Sequence, residues 1–277
     1  MSTTKITSQN PAPANFFETP NPKGFTIDFE GKVVVVTGGN RGLGAGITEA
    51  LAQANATVAM IYNSAKDAED VAAKLSQKWG KTIKAYQCNV GDAARVKEVF
   101  GQIEKDLGNI HAVVANSGIS VVKPALELTA DDFKKVFDVN VLGVFNTAQA
   151  AAALWVPRNH PGSIVVISSM SDTIVNSPIQ QVFYNSSKGA VSNLTRCLAA
   201  EWAPHNIRVN NVNPGFIETD QTMHMDPSLR ENQCKEVPLG RFSKVWEQAA
   251  SVVFMLSPFA SYTTGASNYV DGGYLCW

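Results

Sequence analysis

The sequence predicts an α/β fold built on a doubly wound parallel sheet of about seven strands with helices on both faces. From Lys32 onward, short apolar runs rich in β-branched residues alternate with longer stretches whose apolar residues recur at helical spacing. The first apolar run leads directly into a glycine-rich turn and then a helix. Neither an internal repeat nor a linker divides the 277 residues, and α/β domains often reach about 250 residues, so we expect a single domain.

Two kinds of segment follow one another along the chain. The predicted strands are 33–37, 57–62, 84–89, 112–116, 163–168, 208–212 and 268–271. The predicted helices are 43–54, 67–79, 93–107, 130–153, 184–203 and 245–256. Strands that are apolar on both faces and separated by helices are typical of a parallel sheet that is covered on both sides.

The first 27 residues differ in composition from the rest of the chain. Four prolines stand there among serine, threonine and asparagine, which favours a mobile or extended N-terminal arm over a packed element. Residues 28–277 are then expected to form the single globular domain.

Composition and charge exclude several classes of function. Hydrophobic residues make up 45 % of the chain and charged residues 17 %, which is typical of a globular protein. A formal net charge of -1 without a basic stripe predicts no nucleic-acid partner. The histidines lack the spacing of metal ligands, so we expect no metal site.

Cysteine spacing and the N-terminus bear on the compartment. The four cysteines show no paired spacing, so we expect reduced thiols. The first residues lack the pattern of a signal sequence, and the longest apolar run is far shorter than the ~20 residues of a membrane span. The sequence therefore predicts a cytoplasmic protein without membrane contact.

A glycine-rich turn links the first predicted strand to the first predicted helix. Glycines tolerate positive φ and let a ligand approach the backbone, while free N–H groups at a helix start attract a pyrophosphate. The residues predicted to surround such a phosphate are Gly38, Asn40, Arg41, Gly42, Leu43 and Gly44. Glycines also end strands for structural reasons, so the strand-to-helix context carries the prediction of a Rossmann-type nucleotide site.

The end of the second predicted strand bears on the choice of dinucleotide. An acidic side chain there typically binds the ribose 2′-hydroxyl of NAD and repels the 2′-phosphate of NADP. This chain has Tyr62, Asn63 and Ser64 instead, and Arg41 offers a cation that can pair with a phosphate. The sequence therefore favours NADP(H). The alternative is that Arg41 is an ordinary solvated surface residue.

Tyr184 and Lys188 stand four residues apart, so on a helix they project from the same face. A cation about 4 Å from a phenol is worth on the order of 4 kcal/mol at an effective dielectric near 20, which predicts that the tyrosine pKa falls by about three units. Such a phenol exchanges protons near neutrality. The alternative is an ordinary surface pair, because this spacing is common by chance.

Hydroxyl groups follow the predicted strand 163–168, at the sheet edge where ligands bind in open α/β folds. Ser168, Ser169 and Ser171 cluster there, and a serine at this place can hydrogen-bond a substrate oxygen.

With the glycine turn, the serines and the Tyr184–Lys188 pair in this order, the chain resembles the short-chain dehydrogenase/reductase family from about Lys32 to Trp277. The resemblance implies that Ser169, just past the strand, is the catalytic serine, with Ser168 and Ser171 as the neighbours that remain open. It also implies that Asn140, in a segment matching the family, holds a proton-relay water.

Other positions take cofactor roles through the same resemblance. The segment from Asn116 to Gly118 is similar to the family's NNAG segment, although Ser117 departs from the usual alanine. The further positions implied to contact the dinucleotide are Asn89, Val90, Pro214, Gly215, Ile217 and Thr219.

The implied mechanism is a proton transfer from Tyr184 to a carbonyl oxygen as hydride arrives from NADPH. Ser169 would orient that oxygen, and Lys188 would bind the nicotinamide ribose. Within the family the chain looks like fungal NADPH-dependent polyol and carbonyl reductases, including mannitol and sorbose reductases, which implies reduction of a ketone or ketose to the alcohol. The alternatives are a ketone reductase of a specialised pathway and, in another class, a non-catalytic NADPH-binding regulatory or scaffold protein.

Four further expectations concern the subunit number, the segment over the substrate and two single residues. Relatives use two long helices to form a tetramer, so we expect a homotetramer, with a homodimer as the second possibility. Residues 218–240 are expected to cover the substrate. Asp172 stands where the family commonly has glycine, and it either places an acid at the pocket mouth or caps a turn. Trp277 is expected to pack on a neighbouring subunit or on the pocket.

Overall fold

The computed structural model describes residues 24–276, and within them one seven-stranded sheet has the order β3-β2-β1-β4-β5-β6-β7. Every neighbouring pair of strands is parallel, which confirms the predicted doubly wound sheet. The strands are β1 Val33–Thr37, β2 Thr57–Tyr62, β3 Ile83–Gln87, β4 Ile110–Ala115, β5 Gly162–Ile167, β6 Ile207–Pro214 and β7 Ser267–Val270.

Helices cover both faces of the sheet. They are α1 Gly42–Gln53, α2 Ala68–Trp79, α3 Ala93–Leu107, α4 Ala130–Phe137, α5 Gly143–Trp155, α6 Val182–Trp202, α7 Asp220–Met223, α8 Pro227–Glu236 and α9 Val245–Leu256. A π-helical turn, Asp138–Leu142, joins α4 to α5.

Strand β1 shows why the apolar runs become central strands. All five of its residues are buried, and successive side chains enter opposite layers. Val33 and Val35 pack in the layer formed with α3, α5 and α6. Val34 and Val36 pack in the layer formed with α1, α2 and α9. The four consecutive valines of β1 therefore contribute alternately to the two core layers.

The described part of the predicted N-terminal arm is short. Residues 24–27 carry no helix or strand, and the Phe25 ring lies 4.2 Å from the Phe259 ring, measured between centroids. Ile27 packs against the core beside α1. Residues 1–23 and Trp277, to which further predictions applied, lie outside the described residues.

The predicted helix over 130–153 is continuous, but a π-helical turn interrupts its α-helical spacing. Helix α4 ends at Phe137, and α5 begins only at Gly143 after the π-helical turn. The Asn140 side chain is fully buried in this turn and bonds to backbone atoms of Ile119. Single π-helical turns inside α-helices are frequent at functional sites.

Two other boundaries differ from the prediction. Helix α6 begins at Val182, so Tyr184 lies inside its first turn, and β6 extends to Pro214. Helices α7 and α8 lie within the segment 218–240 and were not predicted, because their sequences have few apolar residues.

The stretch Ala130–Arg158 is apolar and long enough, at 29 residues, to span a membrane by length and composition. Within the fold 56 % of its most apolar window is buried. This stretch contains the π-helical turn and helix α5, which packs on β4 and β5. Packing on the sheet therefore accounts for its apolar character.

The cysteines are free, as predicted. Cys88 is buried, Cys234 is half-buried, and Cys197 and Cys276 are exposed.

Candidate active site

The candidate site lies at the carboxyl edge of the sheet, where the strand order changes direction between β1 and β4. In open α/β sheets ligands bind in the crevice outside this switch point. The glycine turn follows β1, Asn116 follows β4, and the serine cluster follows β5. The parallel topology thus brings the separate motifs of the sequence to one edge.

The glycine turn has no room for larger residues. Gly38 has a φ of 64° and Gly42 a φ of 51°, both in the left-handed region that favours glycine. A Cβ atom at Gly44 would lie 2.0 Å from the Gly38 carbonyl oxygen. Helix α1 begins at Gly42, and the Arg41 side chain does not cap it, so the first N–H groups of the helix have no side-chain acceptor there. This arrangement suits a phosphate group.

Thr37 and Asn116 brace the glycine turn. The Asn116 Nδ2 atom donates to the carbonyl oxygens of Thr37 at 2.9 Å and Gly38 at 3.2 Å. The Thr37 Oγ1 atom accepts from the amides of Asn116 at 3.0 Å and Ser117 at 3.1 Å. The Asn116 side chain therefore supports the turn by hydrogen-bonding backbone carbonyl groups of the turn. Thr37 was not predicted to contribute, although its position directly before Gly38 was a signal.

The end of β2 lies beside the turn and offers neutral polar groups. Asn63 and Ser64 are exposed, Tyr62 is half-buried, and the Asn63 carbonyl oxygen accepts from Gln87 Nε2 at 3.0 Å. Arg41 is exposed and Asn40 half-buried. No carboxylate occupies positions 62–64. This chemistry fits a ribose 2′-phosphate better than a bare 2′-hydroxyl.

The end of β3 forms a neighbouring wall. Asn89 is exposed, and its Oδ1 atom accepts from the Gly91 amide at 3.0 Å. Val90 is buried, and its carbonyl oxygen accepts from Asn146 Nδ2 at 2.9 Å. A Cβ at Gly143 would lie 2.5 Å from Val90 Cγ2, so the start of α5 is tightly seated against this wall.

Tyr184, Ser169 and Lys188 come together as predicted. The Tyr184 side chain is half-buried, and the Ser169 side chain is near enough to act on the pKa of its phenol. The Lys188 Nζ atom lies 5.4 Å from the centroid of the Tyr184 ring. Lys188 is buried, and its Nζ atom donates to the Ile167 carbonyl oxygen at 2.8 Å.

The predicted lowering of the Tyr184 pKa is wrong. Burial raises the pKa of this phenol, and the Ser169 side chain opposes that rise. The Lys188 ammonium is itself desolvated, which lowers its pKa from 10.5 to about 8, and it donates to Ile167. The prediction omitted desolvation, which disfavours the charged form of both groups.

Asn140 is anchored beside the same pair. Its amide accepts from the Ile119 N–H at 2.8 Å and donates to the Ile119 carbonyl oxygen at 2.9 Å and to Ser187 Oγ at 2.9 Å. A Cβ at Gly118 would lie 3.6 Å from Asn140 Oδ1 and 3.7 Å from Lys188 Nζ. Glycine therefore keeps the space between these side chains open. Ser187 was not predicted to contribute, although it adjoins Lys188.

The three clustered serines have different partners. Ser168 Oγ donates to the Lys188 carbonyl oxygen at 3.2 Å, so it supports the backbone of α6. Ser171 Oγ donates to Asn176 Oδ1 at 2.6 Å and accepts from Ser169 Oγ at 2.9 Å. Among the three, Ser169 is the one whose side chain acts on the pKa of Tyr184.

The segment after β6 closes the site from the other side. A Cβ at Gly215 would lie 2.7 Å from Asp271 Cα, and Ile217 forms a bridge with Ser243. Pro214 is the last residue of β6. Thr219 precedes α7, and its Cγ2 atom would lie 3.8 Å from a Cβ at Gly42. The segment from Pro214 to Thr219 therefore connects the sheet edge to the glycine turn.

The predicted cover, residues 218–240, contains α7 and α8. Arg230 pairs with Glu218 at 2.7 Å and lies 5.1 Å from the Phe242 ring centroid. His224 is exposed. Across residues 24–276 no three histidine, cysteine or acidic side chains are grouped as they would be around a metal ion.

Comparison with known proteins agrees with this geometry. A family model described as enoyl-(acyl carrier protein) reductase matches residues 38–275. The sorbose reductase of Candida albicans is 40 % identical over 252 residues, covering 90 % of this chain and 89 % of that protein.

Two solved structures share the fold. A short-chain type dehydrogenase/reductase from Mycobacterium marinum is 35 % identical with a TM-score of 0.86, covering 91 % of this chain and 98 % of that one. An NADPH-dependent 3-quinuclidinone reductase from Rhodotorula rubra is 33 % identical with a TM-score of 0.88, covering 97 % of this chain and 100 % of that one. The resemblance inferred from the motifs is confirmed, and the chain belongs to the short-chain dehydrogenase/reductase family.

Proposed function

We propose that this oxidoreductase reduces a ketone or ketose to the alcohol, reversibly, with NADPH as hydride donor. The observation that carries the proposal is the placement of Tyr184 beside both Ser169 and the buried Lys188, at the sheet edge that also holds the glycine turn. A phenol and a hydroxyl that meet in this way can both address one carbonyl oxygen.

The residues present suit a nicotinamide dinucleotide phosphate. The Gly44 backbone is too close to Gly38 for any side chain, and α1 begins without a side-chain cap, as a pyrophosphate site requires. Bound NADPH supplies the hydride. The residues proposed to hold it are Gly38, Asn40, Arg41, Gly42, Leu43, Gly44, Tyr62, Asn63, Ser64, Asn89, Val90, Asn116, Gly118, Tyr184, Lys188, Pro214, Gly215, Ile217 and Thr219.

Each catalytic side chain has a separate task. The raised pKa of Tyr184 keeps its phenol protonated at neutral pH, which suits a proton donor to the carbonyl oxygen during reduction. Ser169 orients the same oxygen by a hydrogen bond. Lys188 supplies a positive charge below the ring of Tyr184, and Asn140 holds a water that returns the proton from solvent.

A small ketose or polyol is the proposed substrate class. The similar protein from Candida albicans is a sorbose reductase, and that from Rhodotorula rubra reduces the ketone 3-quinuclidinone. Beyond Ser169, a chain of polar side chains runs through Ser171, Asn176 and Gln181 to Ser120. Hydroxyl and amide groups of this kind can bind a polyhydroxylated chain. A ketone of a specialised pathway is the second candidate.

A substrate screen tests this function. NADPH and NADH oxidation would be followed with fructose, sorbose, aryl ketones and an enoyl thioester, with the Tyr184→Phe variant as control. We expect turnover of a ketose or ketone with NADPH that falls by at least about 10³-fold in the variant. Turnover of the enoyl thioester alone would contradict the proposed reaction. NADPH binding without turnover of any compound would instead indicate a regulatory or scaffold protein.

We also propose a cytoplasmic homotetramer, with a homodimer as the alternative. Two separate groups of exposed apolar side chains support two kinds of subunit contact. One group is Phe133, Leu142 and Val182 beside the π-helical turn and α6, and the other is Trp246, Phe254 and Tyr269 on α9 and β7. Light scattering on the pure protein measures the subunit number.

A further inference from the structure

Asp172 occupies a place where relatives commonly have glycine, and it carries a network that glycine cannot make. It ends the short helical turn Met170–Asp172 directly after Ser169, and its side chain is half-buried. The aspartate thus lies three residues after Ser169 in the sequence.

The Asp172 carboxylate collects donors from several elements. Its Oδ2 atom accepts from Ser192 Oγ on α6 at 2.5 Å and from Asn213 Nδ2 on β6 at 2.8 Å. Its Oδ1 atom accepts from Thr173 Oγ1 at 2.9 Å and from the Tyr269 hydroxyl on β7 at 3.1 Å. The carboxylate therefore ties α6, β6 and β7 to the segment that follows β5.

Two of those donors also hold the catalytic backbone. Asn213 Nδ2 donates to the Ser169 carbonyl oxygen at 3.2 Å. Ser192 Oγ lies 3.0 Å from Ser168 Oγ, which donates to the Lys188 carbonyl oxygen at 3.2 Å. Asp172 is therefore connected to the backbone of Ser169 through the Asn213 side chain. It is connected to the backbone of Lys188 through the Ser192 and Ser168 side chains.

Charge adds a second connection. The Lys188 ammonium is buried, and Asp172 is the charged side chain that opposes the lowering of its pKa. The remaining titratable groups around this network are Tyr184 on α6 and Tyr269 on β7, with Arg196 acting on Tyr269. Asp138 of the π-helical turn is paired with Lys134 at 2.5 Å. The elements β5 and 116–119 contribute no titratable side chain.

We propose that Asp172 is a positioning residue of this site, which fixes the backbones of Ser169 and Lys188 through Asn213 and Ser192 and acts on the buried Lys188 ammonium through its negative charge. The catalytic consequence rests on the function proposed above, whereas the effect on Lys188 does not. Neither a pocket-mouth acid nor a simple turn cap describes this arrangement.

The test measures the titration of Lys188 directly in the whole protein. Lysine labelled with ¹³C at the ε position gives one methylene signal per lysine, and comparison with Lys188→Arg assigns the signal of interest. The variants are Asp172→Asn, which keeps the size of the side chain, and Asp172→Gly, which installs the residue common in relatives. Asp106→Asn is the matched control, because Asp106 pairs with Lys84 at 2.8 Å and Tyr86 at 3.0 Å far from the site.

We expect the Lys188 pKa to fall by at least about half a unit in both Asp172 variants and to return in Asp172→Glu. The control should leave it unchanged. If Asp172→Asn does not fold, Asp172→Gly carries the test. A fall of less than about half a unit in the folded variants would overturn the proposal.

Activity separates this proposal from the proposed function. Loss of one unit from the Lys188 pKa leaves about a third of the wild-type charged fraction at pH 7.5 and nearly all of it at pH 6. We therefore expect kcat to fall about threefold at pH 7.5 and little at pH 6. If the wild-type protein reduces no ketone but its Lys188 pKa depends on Asp172, the function fails and the positioning role stands. If ketones are reduced but the Lys188 pKa does not change in the Asp172 variants, the proposed function stands and the positioning role of Asp172 fails.

Discussion

Asn140 and Ile119 are joined by two hydrogen bonds, in which the Asn140 amide accepts from the Ile119 N–H at 2.8 Å and donates to its carbonyl oxygen at 2.9 Å. These bonds fix the loop after β4 against the π-helical turn. They also keep Gly118 next to Lys188, since a Cβ there would lie 3.7 Å from Nζ.

The Asn140→Ala variant should lose both stability and activity. Removing the amide leaves the Ile119 N–H and carbonyl groups unpaired, which costs about 2–4 kcal/mol of unfolding free energy. Chemical denaturation measures this loss. The exposed Asn109 is the control, because Asn109→Ala should change the unfolding free energy by less than about 0.5 kcal/mol. Equal effects of the two substitutions would contradict the role given to Asn140.

The Gly44→Ala variant should lose affinity for NADPH. The new methyl group would lie 2.0 Å from the Gly38 carbonyl oxygen, so the turn must open. We expect the Kd for NADPH, measured by fluorescence titration, to rise at least about 30-fold. Gly101→Ala on α3 is the matched control, because no atom lies within 4 Å of the added Cβ, and it should keep the wild-type Kd.

The Arg41→Ala variant tests the choice of dinucleotide. Removal of the exposed cation that we propose to pair with the 2′-phosphate should raise the KM for NADPH by about tenfold or more and leave the KM for NADH nearly unchanged. Lys97→Ala, which removes an exposed cation from α3, should change neither constant. An unchanged KM for NADPH in Arg41→Ala would remove Arg41 from the cofactor site.

The Ser169→Ala variant should lower kcat by about 10²-fold or more, because it removes the hydroxyl that we propose to orient the reacting oxygen beside Tyr184. Ser171→Ala should have a smaller effect, since Ser171 reaches the site through Ser169. Steady-state kinetics on both variants provides the comparison. A kcat for Ser169→Ala within about tenfold of wild type would transfer the role to a neighbouring serine.

The reduction rate should decline as the pH rises through about 8. Lys188 has a pKa lowered from 10.5 to about 8, so its positive charge is present below this pH and lost above it. The Tyr184 pKa is raised, so the phenol remains protonated over the same range and does not cause the decline. A pH profile of kcat/KM checks this order. A rate that stays constant up to pH 10 would show that the lysine charge is not required.

The sequence predicted the sheet well because its central strands, such as β1, are runs of buried β-branched residues. The four valines from Val33 to Val36, placed between a polar arm and a glycine turn, indicate a short buried strand and exclude a helix. Their side chains alternate between the two core layers on either side of the sheet. The common location of the motif residues was predictable for a different reason. Parallel strands carry their carboxyl ends, and the residues that follow them, to one edge of the sheet.

Features that depend on distant contacts were not predictable from local patterns. The π-helical turn after Phe137 contains Asn140, whose side chain bonds to Ile119, 21 positions earlier in the sequence. Helical periodicity does not reveal such a distant contact. The direction of the Tyr184 pKa shift depends on burial, whereas the spacing to Lys188 indicates only proximity. The donors around Asp172 come from α6, β6 and β7, so its partners appear only in the folded chain.

The brace between Thr37 and Asn116 spans 79 residues of sequence. The phosphate turn is therefore not a self-contained module, although its whole glycine motif fits within eight consecutive residues from Thr37 to Gly44. A fragment that stops before β4 would carry every motif glycine and still lack the side chain that shapes the turn. Nucleotide binding during synthesis must then await the docking of the fourth strand beside the first.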